Sequence, residues 1–107
     1  MVFIDTSTFS RIIRSLLSDD ESRELQSALV GRSALGNLIR GGAGLRKLRW
    51  GRKGAGKSGG IRTIYYWAVA QDQMLMVYAY PKNEMADLTD KQLAKLAKVA
   101  KKEFENG

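Results

Sequence analysis

Three segments with strand-like composition, LRKLRW (45–50), IRTIYYWAV (61–69) and MLMVYAY (74–80), follow one another with too little chain between them for a crossover helix. A parallel return needs roughly a dozen residues or more, usually helical. Only AQDQ separates the last two segments, and the glycine-rich GRKGAGKSGG separates the first two. An antiparallel meander is therefore the simplest connection. Dense β-branched and aromatic residues in 61–69 and 74–80 suit central strands. In 45–50 the alternation places Leu48 and Trp50 on one face with Arg46, and Lys47 and Arg49 on the other.

The flanks have a different period. The apolar content of VFIDT, from Val2, predicts a short first strand. Phe9, Ile12, Ile13, Leu16 and Leu17 then form the stripe of an amphipathic helix. Ser18 with Glu21 fits a capping box that opens a second helix, carried by Leu25, Ala28 and Leu29 up to Gly31. GNLIRGGAG (36–44) is a glycine-rich connector. At the other end Thr89 with Gln92 caps a final helix, with Leu88 and Leu93 at the staple positions and a stripe of Leu93, Leu96, Ala97, Ala100 and Phe104. The expected architecture is α+β: a small antiparallel sheet of about four strands, an N-terminal helical hairpin on one face, and a C-terminal helix. Trp50, Trp67, Met74 and Met76 are expected in the core. With 107 residues and 44% hydrophobic content, one domain spanning 1–107 is expected.

Charge is segregated. Residues 1–24 carry three basic and five acidic side chains, residues 72–107 six of each, and residues 25–71 nine basic and none acidic. The formal charge of +7 therefore originates in the middle of the chain. A field that no nearby carboxylate cancels favours a polyanion, nucleic acid first. The absence of Cys and His removes thiolate and imidazole chemistry, leaving Lys, Arg, Tyr, Asp, Glu, Ser and Thr for any catalysis. No carboxylate cluster suggests a metal site, and no cofactor is implied. The N-terminus lacks a charged n-region, and no apolar run approaches the ~18 residues of a membrane span. A cytoplasmic protein without membrane contact is expected.

GRKGAGKS (51–58) matches the phosphate-loop pattern letter for letter. Such a loop works only where a helix begins at its Lys-Ser end and aims its dipole at the phosphates. Here GGIRTIYYWAV follows, with a strand period and two glycines where a helix should nucleate. No nucleotide is expected. The segment reads instead as a basic hairpin tip, either a loop whose charge only keeps it solvated or one whose glycines allow Arg52, Lys53 and Lys57 close to a phosphate backbone.

Paired as a hairpin, the strands bring Arg62 across from Lys47 and Arg49, with Lys82 and Asn83 just past the last strand. Tyr65, Tyr66, Tyr78 and Tyr80 interleave with them, although alternation alone sends Tyr65 and Tyr66 to opposite faces. Cations beside aromatic rings form a platform for unstacked bases and phosphates. The helices would cover the opposite face.

The pattern GLRKLRW, a basic glycine-rich tip, GGIRTIYYW, YAYPKNEMADLT and a terminal helix resembles the RelE/HigB superfamily of type II toxin–antitoxin toxins, in particular its HigB-like, phage-derived subgroup. That resemblance implies a RelE-like fold and a metal-independent, ribosome-dependent mRNA endonuclease, or mRNA interferase. It implies as partners the ribosome, mRNA and a cognate antitoxin of helix-turn-helix type. The family's basic pair falls on Lys47 and Arg49, its third-strand arginine on Arg62, and its basic position after the last strand on Lys82 or Asn83. Arg46, Arg52, Lys53, Lys57, Tyr66 and Tyr80 are the expected RNA contacts. The chain has neither the C-terminal tyrosine nor the histidine of some members. Arg49 and Arg62 can hold a phosphate bidentately, while Lys47 or Lys82, or less favourably Tyr66 or Tyr80, can move protons. The alternative is an inhibitor that does not cut: a ParE-like gyrase poison, or an RNA-binding module with the same basic sheet.

Overall fold

The computed structural model describes residues 1–51, 60–85 and 87–105. In chain order the elements are β1 (Val2–Asp5), α1 (Ser7–Leu16), α2 (Asp19–Gly31), β2 (Asn37–Leu38), β3 (Leu45–Trp50), β4 (Ile61–Ala68), β5 (Gln73–Pro81) and α3 (Asp90–Glu105). The strands form one sheet in the order β1-β5-β4-β3-β2. The meander of β3, β4 and β5 is antiparallel, as the short connections require. Two features extend the sequence expectation. The sheet has five strands, because the glycine-rich connector folds as a small hairpin that pairs Asn37 with Lys47 and Leu38 with Arg46. Positive φ at Gly41, Ala43 and Gly44 makes that turn, a conformation glycine adopts without steric cost. The sheet is also mixed, since β1 runs parallel to β5, from Val2 beside Gln73 to Asp5 beside Met76.

Helix starts follow local chemistry. Thr6 caps α1 by accepting from the Phe9 amide, and the Ser18–Glu21 capping box opens α2. The Thr89–Gln92 pair makes the same reciprocal bonds, at 2.8 and 3.1 Å, ahead of α3. Each such cap stabilises a helix end by about 1 kcal/mol. Among the described residues, no helix is long and apolar enough to cross a membrane.

The sheet separates two cores. On one face α1 and α2 bury Phe9, Ile13, Leu17, Leu25 and Leu29 against Leu48, Ile61, Tyr65, Met74 and Met76, with Trp50 and Trp67 at the margin. On the other, Leu93, Ala100, Leu96 and Phe104 of α3 pack on Leu45, Ile64, Leu75, Val77 and Tyr80. A β-bulge interrupts the β4–β5 ladder, where Ile64 pairs with Tyr78 but Tyr65 with Met76, leaving Val77 as the extra residue. The bulge reverses the face parity of β5. Leu75 and Val77 lie on the α3 face, and so do Tyr78 and Tyr80 beyond them, whereas Met74 and Met76 face α1. Thr6 stabilises this irregularity by donating its hydroxyl to the Val77 carbonyl at 2.9 Å.

Candidate nucleic-acid interface

Alternation along β3 sends Leu45 into the α3 core, so Lys47 and Arg49 project from the same face. On β4, Ile64 and Tyr66 lie on that face too, which carries Arg62 there. Cross-strand register then places Arg49 beside Arg62 and Arg62 beside Tyr80, a row across three strands. The neighbouring row runs Asn37, Lys47, Ile64, Tyr78. Contrary to the expectation that the helices would all cover the opposite face, α3 shares this face with the cations. It packs on Tyr66 and Leu75 further along the sheet. The reason is the stripe on α3, whose apolar width needs a second core that α1 and α2 do not provide.

Burial differs across the row. Arg49 is exposed, Arg62 is only 8% exposed and Tyr80 3%. Arg62 donates a long bond of 3.3 Å to the neighbouring Ile61 carbonyl. The Tyr80 hydroxyl is buried with no hydrogen-bond partner among the described residues, and its ring lies 6.1 Å from that of Tyr78. Burial first, and the negative charge of Asp87 second, push the Tyr80 hydroxyl above its ordinary value of 10.0, against the opposing pull of Arg62. It is therefore a protonated donor at neutral pH.

Asp87, in the connection between β5 and α3, was not among the residues expected from sequence. Its carboxylate accepts a hydrogen bond from Lys47 Nζ at 2.7 Å. That bond, then the Lys47 charge, and to a smaller degree Arg62 and Arg49, hold it below the ordinary 3.8. A carboxylate thus sits at the edge of the cation cluster, and Lys47 has an anion beside it rather than only other cations. The available signal was the nine-cation segment itself, which needs counter-charge; Glu84 and Asp87 are the first acidic residues after β5.

The other expected residues are distributed as follows. Lys82 and Asn83 are exposed in the turn directly after β5, where the Lys82 amide bonds the Gly60 carbonyl at 3.0 Å, so both border the row. Arg46 lies on the α1/α2 face, its guanidinium donating to the Gly36 carbonyl at 2.9 Å, and so is not part of the cluster. Tyr66 packs at a tilt against Phe104, centroids 5.5 Å apart, in the α3 core rather than beside the cations. Arg52, Lys53 and Lys57 fall outside the described residues. Beyond GRKGAGKS the chain enters β4 at Ile61, paired with Trp50, where a phosphate loop would require a helix.

Lys47 and Arg49 offer positive charge and donors at the surface of one patch of sheet, backed by the buried Arg62 and Tyr80 beside them, and such charge is the chemistry that receives a phosphate group. The family model of the RelE toxin of the RelE/RelB toxin–antitoxin system matches residues 1–106. With residues 1–106 matched, the chain belongs to the RelE toxin family, the toxin half of a toxin–antitoxin pair whose partner is a cognate antitoxin.

Proposed function

We propose that this toxin is a ribosome-dependent mRNA endonuclease of the HigB-like, phage-derived kind, acting in the cytoplasm on translated mRNA and neutralised by an antitoxin of helix-turn-helix type. The observation that carries the reading is the row Arg49–Arg62–Tyr80 with Lys47 beside it. In the reaction, the ribose 2′-oxygen loses its proton and attacks the adjacent phosphorus. The bond to the 5′-oxygen breaks, a 2′,3′-cyclic phosphate remains, and the leaving oxygen takes up a proton. Arg49 and Arg62 offset the charge that grows on the phosphorane oxygens. The protonated Tyr80 hydroxyl adds a neutral donor, and Lys82 and Asn83 receive the flanking backbone. Asp87 is the carboxylate that the incoming phosphate must displace from Lys47, or accept as its neighbour. Positioning of the mRNA by the ribosome supplies a large part of the acceleration.

Primer extension on an mRNA translated with the purified protein tests the proposal. Cuts within the reading frame should appear with ribosomes and not without them. Arg49→Ala combined with Lys82→Ala, both exposed positions, should lower cleavage by about a hundredfold or more with an unchanged thermal melt. Intact mRNA in the presence of ribosomes would overturn the reading, and gyrase-linked DNA breaks in cells that express the protein would replace it with gyrase poisoning.

A further inference from the structure

Beside the cation row lies a cleft of about 410 Å³ at the β2 edge of the sheet, lined among others by Leu35, Asn37, Leu38, Arg40, Lys47 and Arg49. Two of its three cations, Lys47 and Arg49, belong also to the phosphate patch, so the cleft continues that patch, and Arg40 adds a third charge outside it. The remaining lining has another chemistry: apolar Leu35 and Leu38, which belong to the α1/α2 side and so meet the cleft around the sheet edge, together with the Asn37 amide on the Lys47 side. Leu38 is 62% exposed, a large apolar side chain that the core does not use. Asn37 stands directly across from Lys47 in the β2–β3 register.

The wall of the cleft is held in place from behind. The buried Tyr65 hydroxyl accepts from the Gly36 amide at 2.9 Å and donates to the Ser33 carbonyl at 2.8 Å. Arg46 donates to the Gly36 carbonyl. A Cβ at Gly36 would come within 2.8 Å of the Tyr65 ring, so the segment runs as close to that ring as backbone can. Three bonds on a short segment fix the direction in which Leu35 and Asn37 leave it. They also give Arg46 a purpose on its own face of the sheet.

We propose that this cleft is a nucleobase subsite: it receives the base of the nucleotide whose phosphate lies on Lys47 and Arg49, with Leu35 and Leu38 against the ring face and the Asn37 amide on the base edge. The inference rests on the reading that RNA phosphates occupy the cation row. A flat heterocycle needs an apolar wall on its face and a donor and acceptor at its rim. An amide supplies both of the latter, and can pair two atoms of a base edge at once. Arg46 acts here as a positioning residue, through Gly36.

The test needs no cleavage. The four ribonucleoside 5′-monophosphates and ribose 5-phosphate are titrated into the isotopically labelled protein and followed by amide chemical shifts. At least one nucleotide should bind about tenfold more tightly than ribose 5-phosphate, with its largest shifts in residues 35–40. Asn37→Ala combined with Leu38→Ala, both exposed, should bring that nucleotide down to the wild-type affinity for ribose 5-phosphate. Arg46→Met should lower nucleotide affinity while leaving ribose 5-phosphate affinity in place, and Arg46→Lys should restore part of the loss. Equal binding of all five ligands, or an advantage that survives the Asn37/Leu38 double substitution, would overturn the subsite alone. No binding of any of the five would overturn both the subsite and the phosphate reading beneath it.

Discussion

Asp87 and Lys47 stand 2.7 Å apart on an otherwise cationic patch, and the hydrogen bond from Lys47 is the leading reason that the carboxyl titrates low. A depressed carboxyl contributes stability that is present above its unfolded value and lost as pH falls through the folded one. The ion pair should therefore persist below pH 3.8, the ordinary aspartate value, and break only further down. Carbon-detected titration of the Asp87 side chain measures this directly: Lys47→Met should move the midpoint back up toward 3.8, and a wild-type midpoint at or above 3.8 would refute the pairing. At this scale the site was partly legible. Strict alternation in LRKLRW placed Lys47 and Arg49 together, and hairpin pairing brought Arg62 to them. Tyr80 was not decidable, because simple parity would group it with Met74 and Met76, and the bulge at Val77 reverses that parity. Asp87 escaped because its partner is 40 residues away, a separation that no local pattern encodes.

The elements depend on one another through Thr6. Its oxygen accepts from the Phe9 amide, capping α1, and its hydroxyl donates to the Val77 carbonyl in the bulge of β5. One side chain thereby joins the start of a helix to the irregularity that aims Tyr80. Thr6→Ala should destabilise the fold by about 2 kcal/mol, the sum of a lost cap and a bulge carbonyl left without that bond. Thr6→Ser should recover most of it. Urea unfolding of the three proteins checks this, and a Thr6→Ala variant as stable as wild type would show that water replaces both bonds. Caps and stripes were readable at this scale, because Ser18–Glu21 and Thr89–Gln92 act over three residues. β2 was not, since two residues carry no period. The parallel docking of β1 on β5 was hidden for a similar reason: Val2 meets Gln73, and nothing within VFID names that partner.

Among the described residues of the whole molecule, the excess of positive charge is gathered by the sheet: the helices taken together mix their basic residues with acidic ones, whereas β3 and β4 carry Arg46, Lys47, Arg49 and Arg62 and no acid. Lys47, Arg49 and Arg62 converge from separate strands, and single-stranded RNA that neutralises them releases condensed counterions. Log affinity against log salt should then fall with a slope of about −2 or steeper, given ~0.7 per phosphate contacted on a single strand. Arg49→Ala should flatten the slope by about 0.7; fluorescence anisotropy with a labelled oligoribonucleotide reads both values, and a flat salt response would mean that the cations do not carry binding. The cation row has a further consequence, which concerns assembly in time. Arg49, Arg62 and Tyr80 become neighbours only after β4 and β5 have zipped onto β3, and β5 is flanked on its other side by β1 from the first residues of the chain. Contacts of such sequence separation close late in folding. A chain still emerging during its own synthesis carries the same charges but no row, so the capacity to grip RNA arises all at once, when the last strand is in place.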